Sequence, residues 1–488
     1  METTKALRAF CALCVSFVLA GCVAAPALAP YPSEREGQTF TRNAEFARKI
    51  DRLLPDSLFP PSNIALLIGN LDDRSILYAR NADFLYNPAS NQKLFTAATA
   101  LAVLGPAYSF ATVVALDTLQ QTIYLRGSGD PLLTPGDLGR LADTVALYVG
   151  PYRAWTIDGD ATRFDTLYWG PGWMWDDADD PSGMGVSALT VNSNTVDVHV
   201  AAGDSLGTTP RVFVVPSTSY VRVINESTVV DSVTRPLRVS RPLQTPSNVI
   251  RVTGELRRDA RRTLSIAVHG PERFATTLLA EALVQRGVRV AGTRLGTMPP
   301  GAFPVAKIEH ALDTVLTYMD KVSDNLSAEC LTKTLSFAGS GTPGNWTDGT
   351  GVIRKYLEQK GIDTTKITVA DGSGLSRYNL TSARTIFQLL SAAYHDSSSW
   401  PFFYHSLPIA GRDGTLDSRM RGTPAQDRVH AKTGTIAGVS TLSGIVDRSP
   451  KPPLGFSLIM ENFPTSSHSY RDVQDSIVCL IVSSFGSP

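Results

Sequence analysis

The chain has 488 residues, too many for one ordinary domain, so two or three are expected. With 43% apolar and 18% charged residues it has the composition of a soluble globular protein. Its 45 basic and 45 acidic residues cancel to a formal net charge of zero, which excludes a general electrostatic pull toward nucleic acid.

The N-terminus reads as a targeting segment rather than part of the fold. Lys5 and Arg8 precede a short apolar run over residues 9–20. That run is too short to cross a bilayer comfortably. It ends in Leu19-Ala20-Gly21-Cys22, which resembles a bacterial lipoprotein cleavage box with Cys22 as the lipidated residue. Ala27-Leu28-Ala29 is a competing signal-peptidase site. Either route places the mature protein outside the cytoplasmic membrane, in the periplasm. With Cys22 lipidated, the membrane is met only through this anchor, because no later segment has 18 continuous apolar residues. Of the five cysteines, Cys330 and Cys479 alone lie in the body of the chain. Both have apolar neighbours and read as buried small side chains, with a disulfide as the alternative in an oxidising compartment. No Cys/His cluster has zinc spacing and the histidines are scattered, so no metal and no cofactor is expected.

A Pro-, Ser- and Glu-rich tether is expected near residues 30–37, followed by a helix over 44–54 and a strand pair at 64–69 and 75–79. Leu94, Ala97, Ala98, Leu101 and Leu104 recur at helical spacing, which puts Ser90 at the mouth of a helix that Gly105-Pro106 stops. Short β-rich runs follow at 112–116, 122–126, 154–158, 188–200, 211–215, 220–224 and 264–269, with one clear helix at 275–285. Helices are then expected at 312–321, 325–335, 352–360 and 381–394. In 325–335, Leu326, Cys330 and Leu331 face inward. Strands at 429–432, 436–447 and 454–461 and a closing helix at 472–483 complete the chain. This is the layout of an α/β sandwich whose sheet joins both chain ends. The expected division is a signal segment at 1–29, a catalytic domain split into 30–110 and 301–488, and a mainly β inserted region at 111–300, read as two nested domains.

Three short motifs carry the chemistry: Ser90-Asn-Gln-Lys93, Ser323-Asp-Asn325 and Lys432-Thr-Gly434. Each is weak to moderate alone; in this order and context they are strong. This is the set used by penicillin-binding proteins and serine β-lactamases. A serine hydroxyl is a poor nucleophile until a base takes its proton, and Lys93 lies one helical turn away on the same face. For that role Lys93 must be partly neutral, through desolvation or a neighbouring cation such as Lys432. Ser323 suits proton transfer between the lysines and the leaving amine, and Asn325 a hydrogen bond to Lys93 and to the substrate carbonyl. Lys432 and Thr433 suit a terminal carboxylate, and Gly434 lets substrate approach the strand. The N–H groups of Ser90 and Thr435 would form the oxyanion hole. The 230 positions between Lys93 and Ser323 exceed what a compact β-lactamase needs and point to the insertion.

Further stretches sharpen the assignment: Gly127-Ser-Gly-Asp-Pro131, Pro171-Gly-Trp-Met-Trp-Asp-Asp177, Val186-Ser-Ala-Leu-Thr-Val191, Asp371-Gly-Ser-Gly-Leu-Ser-Arg377 and the segment from Leu407 to Leu416. With them, the chain resembles the low-molecular-mass class C penicillin-binding proteins, the D-alanyl-D-alanine carboxypeptidase/endopeptidase family, over roughly residues 40 to 485. The resemblance implies a transpeptidase/β-lactamase-like α/β domain, split in sequence and interrupted by mainly β inserted domains. It implies a penicillin-sensitive hydrolase whose partners are peptidoglycan stem peptides and β-lactams, and it carries the roles above onto the three motifs. Trp173 and Asp176 would receive a side-chain ammonium of the stem peptide and Arg377 its carboxylate; otherwise the tryptophans are core or interface residues and the charges solvated. Asp371 reads as a loop-organising acceptor. The competing functions are a serine β-lactamase, for which no Glu-centred deacylation loop is found, and a catalytically dead binder of cell-wall peptides.

Overall fold

The computed structural model describes residues 40–41, 43–59, 62–177, 180–242 and 246–486. Cys22, the competing cleavage site and the expected tether lie outside the described residues. Among the described residues, no helix is long and apolar enough to cross a membrane.

Strands from the two ends of the chain build one antiparallel sheet of six. Its order is Phe40–Thr41, Ile76–Arg80, Asn63–Asn70, Lys451–Glu461, Val439–Arg448 and Val429–Ile436. The long-range pairing is in full register, with Leu66 opposite Leu458 and Asn70 opposite Leu454. Strand 63–70 is buried on both faces, which its unbroken apolar run requires. Ala65 and Leu67 point to one side, into a core formed with the helices Gln92–Leu104, Asn325–Ser340 and Ala383–Tyr394. Ile64, Leu66 and Ile68 point to the other, where Ala44–Arg52 and His468–Phe485 close the sheet. The result is the expected sandwich of helices on both faces of a sheet.

The inserted region leaves this sandwich after Leu104 and returns at Leu312. Its first strand, Ser109–Asp117, pairs antiparallel with its last, Phe303–Ala311, with Ser109 opposite Ala311. Entry and exit are therefore neighbours, so the chain ends of a very long insertion need not be brought together by a flexible loop. These two strands form one side of a five-stranded sheet, ordered Phe303–Ala311, Ser109–Asp117, Thr122–Arg126, Ala154–Asp160 and Arg289–Leu295. Three small sheets follow, built from the segments between 195 and 267.

Two details depart from the sequence reading, and one alternative is settled. The run 188–200 is a strand only over Thr195–Ala201, because Asn192, Ser193 and Asn194 all take left-handed backbone angles and break it. The mainly β insertion also holds a second 15-residue helix, Pro135–Val149, opened by a Thr134/Asp137 capping box and buried through Leu138, Leu141, Ala142 and Val145. Cys330 and Cys479 are both free, so the disulfide alternative fails; Cys330 is buried in its helix and Cys479 half-buried.

Candidate active site

Ser90 lies in a tight 3-10 turn, Ala89–Asn91, that runs into helix Gln92–Leu104. Ala89 holds a positive φ of 44°, a conformation alanine seldom adopts. Its N–H is tied to Asn87 Oδ1 at 2.8 Å, which keeps the turn in place. Asn91, buried behind it, donates to the Lys432 carbonyl at 2.8 Å and locks the turn to strand Val429–Ile436. Gly434 passes so close that a Cβ there would sit 2.9 Å from the Ser90 nitrogen, so glycine leaves room in front of the serine.

Lys93 is wholly buried. Its Nζ donates to Asn325 Oδ1 at 2.6 Å, to the Ser373 carbonyl at 2.9 Å and to Ser90 Oγ at 3.1 Å. Burial pulls the ammonium down to about 8, against the opposing pull of Asp324, Glu329, Asp371 and Asp320. Of the two causes that the sequence left open, desolvation is the one at work on Lys93.

Ser323 joins two helices, Leu312–Lys321 and Asn325–Ser340, at a positive φ of 64°. Asp324 caps the second helix by accepting from Ser327 N at 2.7 Å, which fixes where Asn325 emerges. Lys432, also wholly buried, donates to Ser323 Oγ at 2.8 Å. Burial, with Lys93 adding repulsion, holds its ammonium well below the usual lysine range. Thr433 Oγ1 donates to Thr415 Oγ1 at 2.8 Å. The three motifs thus meet around one point, with two depressed lysines bracketing Ser90 and Ser323.

The other expected residues line up less tightly. The Trp173 indole donates to buried Asp371 at 3.0 Å and packs edge-on against Trp346, so it anchors the inserted segment onto the loop after Asp371. Ser376 Oγ donates to the Pro171 carbonyl at 2.6 Å and Arg377 N to that of Gly172, at 3.3 Å. Asp176 and Arg377 are exposed; the Arg377 guanidinium donates to the Ala437 carbonyl beyond the end of strand 429–436 and pulls on Asp177 and Glu461. Asn325 Nδ2 donates to the Ser182 carbonyl at 2.9 Å, so the insertion also touches the centre of the site. Sequence reasoning missed the Ser373 carbonyl, Glu329 and Glu461. A backbone carbonyl has no residue signature; Glu329, four residues after Asn325 and therefore on the same helical face, did carry one.

Residues 46–483 match the D-Ala-D-Ala carboxypeptidase 3 (S13) family. The chain belongs to that family. A D-alanyl-D-alanine carboxypeptidase from an Actinomadura species is 34% identical to this S13 peptidase over 461 residues, covering 89% of this chain and 84% of the relative. One from Haemophilus influenzae is 26% identical over 415 residues, covering 83% and 86%. In three dimensions, penicillin-binding protein 4 of Haemophilus influenzae superposes with a TM-score of 0.77 at 24% identity, over 91% of this chain and 100% of that one. A second structure of that protein holds a β-lactam and superposes at 0.73. The fold of the S13 peptidase is therefore the penicillin-binding fold with inserted β domains, and its membership makes it a serine-type hydrolase.

Proposed function

We propose that this S13 peptidase cleaves the terminal D-alanine, or a D-alanyl cross-link, of peptidoglycan stem peptides through an acyl-enzyme on Ser90. The observation that carries the reading is a fully buried lysine, depressed to about 8, whose amine lies 3.1 Å from a half-exposed serine hydroxyl. Neutral Lys93 takes the Ser90 proton as Oγ attacks the penultimate D-Ala carbonyl. The N–H groups of Ser90 and Thr435 receive the oxyanion. As the C–N bond breaks, the proton that Lys93 took from Ser90 passes by way of Ser323, held by Lys432, to the leaving amine, and Lys93 is neutral again. Water then enters, gives a proton to Lys93 and attacks the acyl carbon; the ester bond breaks, Ser90 Oγ takes that proton back and the acid leaves. Lys432 and Thr433 hold the terminal carboxylate, while Asn325 orients both Lys93 and the substrate amide. Trp173, Asp176 and Arg377 form the wall toward the stem-peptide side chain, a role supported by the contacts that bring 171–173 against 376–377.

Export to the periplasm, with a lipid anchor at Cys22, completes the reading; it is supported by the targeting pattern and by an activity that needs extracytoplasmic substrate. Intact-protein mass spectrometry after benzylpenicillin, with Ser90→Ala alongside, tests the core of it. A lasting adduct of one drug mass, absent from the variant, is expected. Hydrolysed drug without adduct would make the protein a β-lactamase, and intact drug without adduct a binding module.

A further inference from the structure

Helix Asn325–Ser340 carries a polar stripe at i, i+4 and i+8: Asn325, Glu329 and Lys333. Glu329 and Lys333 are wholly buried, which is unfavourable for charged groups unless each is paired or hydrogen-bonded. Lys333 is paired with Asp165 and hydrogen-bonded; Glu329 is hydrogen-bonded only, and burial with Asp371 nearby raises its carboxyl to about 7, so it is an anion above that pH. Lys333 Nζ donates to Asp165 Oδ1 and the Leu167 carbonyl, each at 2.6 Å, and lies 3.7 Å over the Trp346 ring. Glu329 accepts from Ser373 N at 2.7 Å, from Gly372 N at 3.1 and 3.2 Å, and from the Trp346 indole at 2.7 Å. The peptide that Glu329 grips ends in the carbonyl that meets Lys93.

We infer that Glu329 is a positioning residue for the Lys93 amine, acting through the Gly372–Ser373 backbone. A neutral amine has two N–H donors and one lone pair. Asn325 Oδ1 and the Ser373 carbonyl take the two N–H groups, which leaves the lone pair for the Ser90 proton. One helix supplies both constraints, Asn325 directly and Glu329 through the loop. Thr96 Oγ1 holds the Gly372 carbonyl at 2.7 Å, and Asp371 takes Gly374 N and Ser376 N at 2.8 and 2.6 Å, so the loop is pinned from three sides. Lys333 and Asp165 extend the same brace to the inserted segment that leads to Trp173.

The inference rests on the reading of Lys93 as the base of Ser90. Acylation by benzylpenicillin, followed by mass across pH, separates the binding constant from the acylation rate constant. Glu329→Gln is expected to lower the rate constant at the alkaline plateau by about 10- to 100-fold with binding unchanged, since the carboxylate grip of Lys432 and Thr433 is untouched. Its pH midpoint should move down, because an anion favouring the Lys93 ammonium is gone while burial of Lys93 and its neighbours Asp320, Asp324, Asp371 and Lys432 are unchanged. Trp346→Phe, which removes one donor to Glu329 but keeps a ring over Lys333, should show a smaller loss in the same direction. A wild-type rate constant and midpoint in Glu329→Gln overturns the inference, as does a loss that vanishes once rates are normalised to active protein. If Glu329→Gln does not fold, a wild-type rate in Trp346→Phe overturns it. A wild-type protein that forms no Ser90 adduct removes the parent reading and this one together.

Discussion

Between Lys93 and Lys307 the chain contains no lysine, and the charged side chains buried in that stretch are mostly carboxylates that serve turns and caps. Asp137 accepts from Thr134 N at 2.8 Å, Asp160 from Thr162 N and Met298 N at 2.9 Å, and Asp130 from Leu132 N at 3.0 Å. Each satisfies a backbone donor that would otherwise be orphaned. The half built from the two chain ends buries lysines instead: Lys93, Lys333 and Lys432, with Glu329, Asp320 and Asp371 among them. Desolvation lowers all three ammonium groups, and like-charge pressure lowers Lys432 further. The first kind of burial holds loops together. The second works against stability; Lys93 and Lys432 bear it where the proposed mechanism moves a proton, and Lys333 bears it in an ion pair with Asp165.

That contrast can be broken experimentally. Lys93→Ala should lower the benzylpenicillin acylation rate by about a thousandfold. Unfolding stability should change by less than about 2 kcal/mol, since relief of desolvation opposes the lost hydrogen bonds. A large stability loss in calorimetry would show that Lys93 is structural. Phe274→Ala, in the core of the inserted region, should do the reverse. It should cost about 3 to 5 kcal/mol of stability in denaturant titration, with the acylation rate per active molecule unchanged. A fall in that rate would mean that the two halves are less independent than their buried charges suggest.

The wild-type pH profile sharpens the comparison. The Lys93 amine is protonated below about 8, so acylation should rise with pH and gain about tenfold between about pH 7 and pH 9. A rate flat over that range would mean that Lys93 is not the titrating base. Asp176→Ala should have the smallest effect, about fivefold in kcat/KM, and only on stem peptides whose side chain ends in an ammonium, because the carboxylate is exposed. Equal losses on a neutral side chain would remove Asp176 from recognition.

Much of this was legible in the amino-acid order. Helical periodicity from Leu94 to Leu104 and the continuous apolar strand at 64–69 report burial that local packing enforces. Helix 135–149 was legible too, in the Thr134/Asp137 box and the spacing of Leu138, Leu141 and Val145, but β-rich neighbours masked it. The break at 192–194 was not, since Asn-Ser-Asn after a valine-rich run fits a strand until the backbone angles are known.

By itself the sequence determined that Ser90 and Lys93 share a helical face, because a three-residue spacing fixes that geometry wherever the helix lies. It also determined that a hydroxyl, an amide and a cationic strand accompany them. Only the tertiary structure decided that Asn325, 232 positions from Lys93, lies 2.6 Å from its amine, and that the third contact of that amine is a backbone carbonyl of residue 373. Backbone groups are the same at every position, and desolvation depends on everything packed around a site, so neither could be read before the chain was folded.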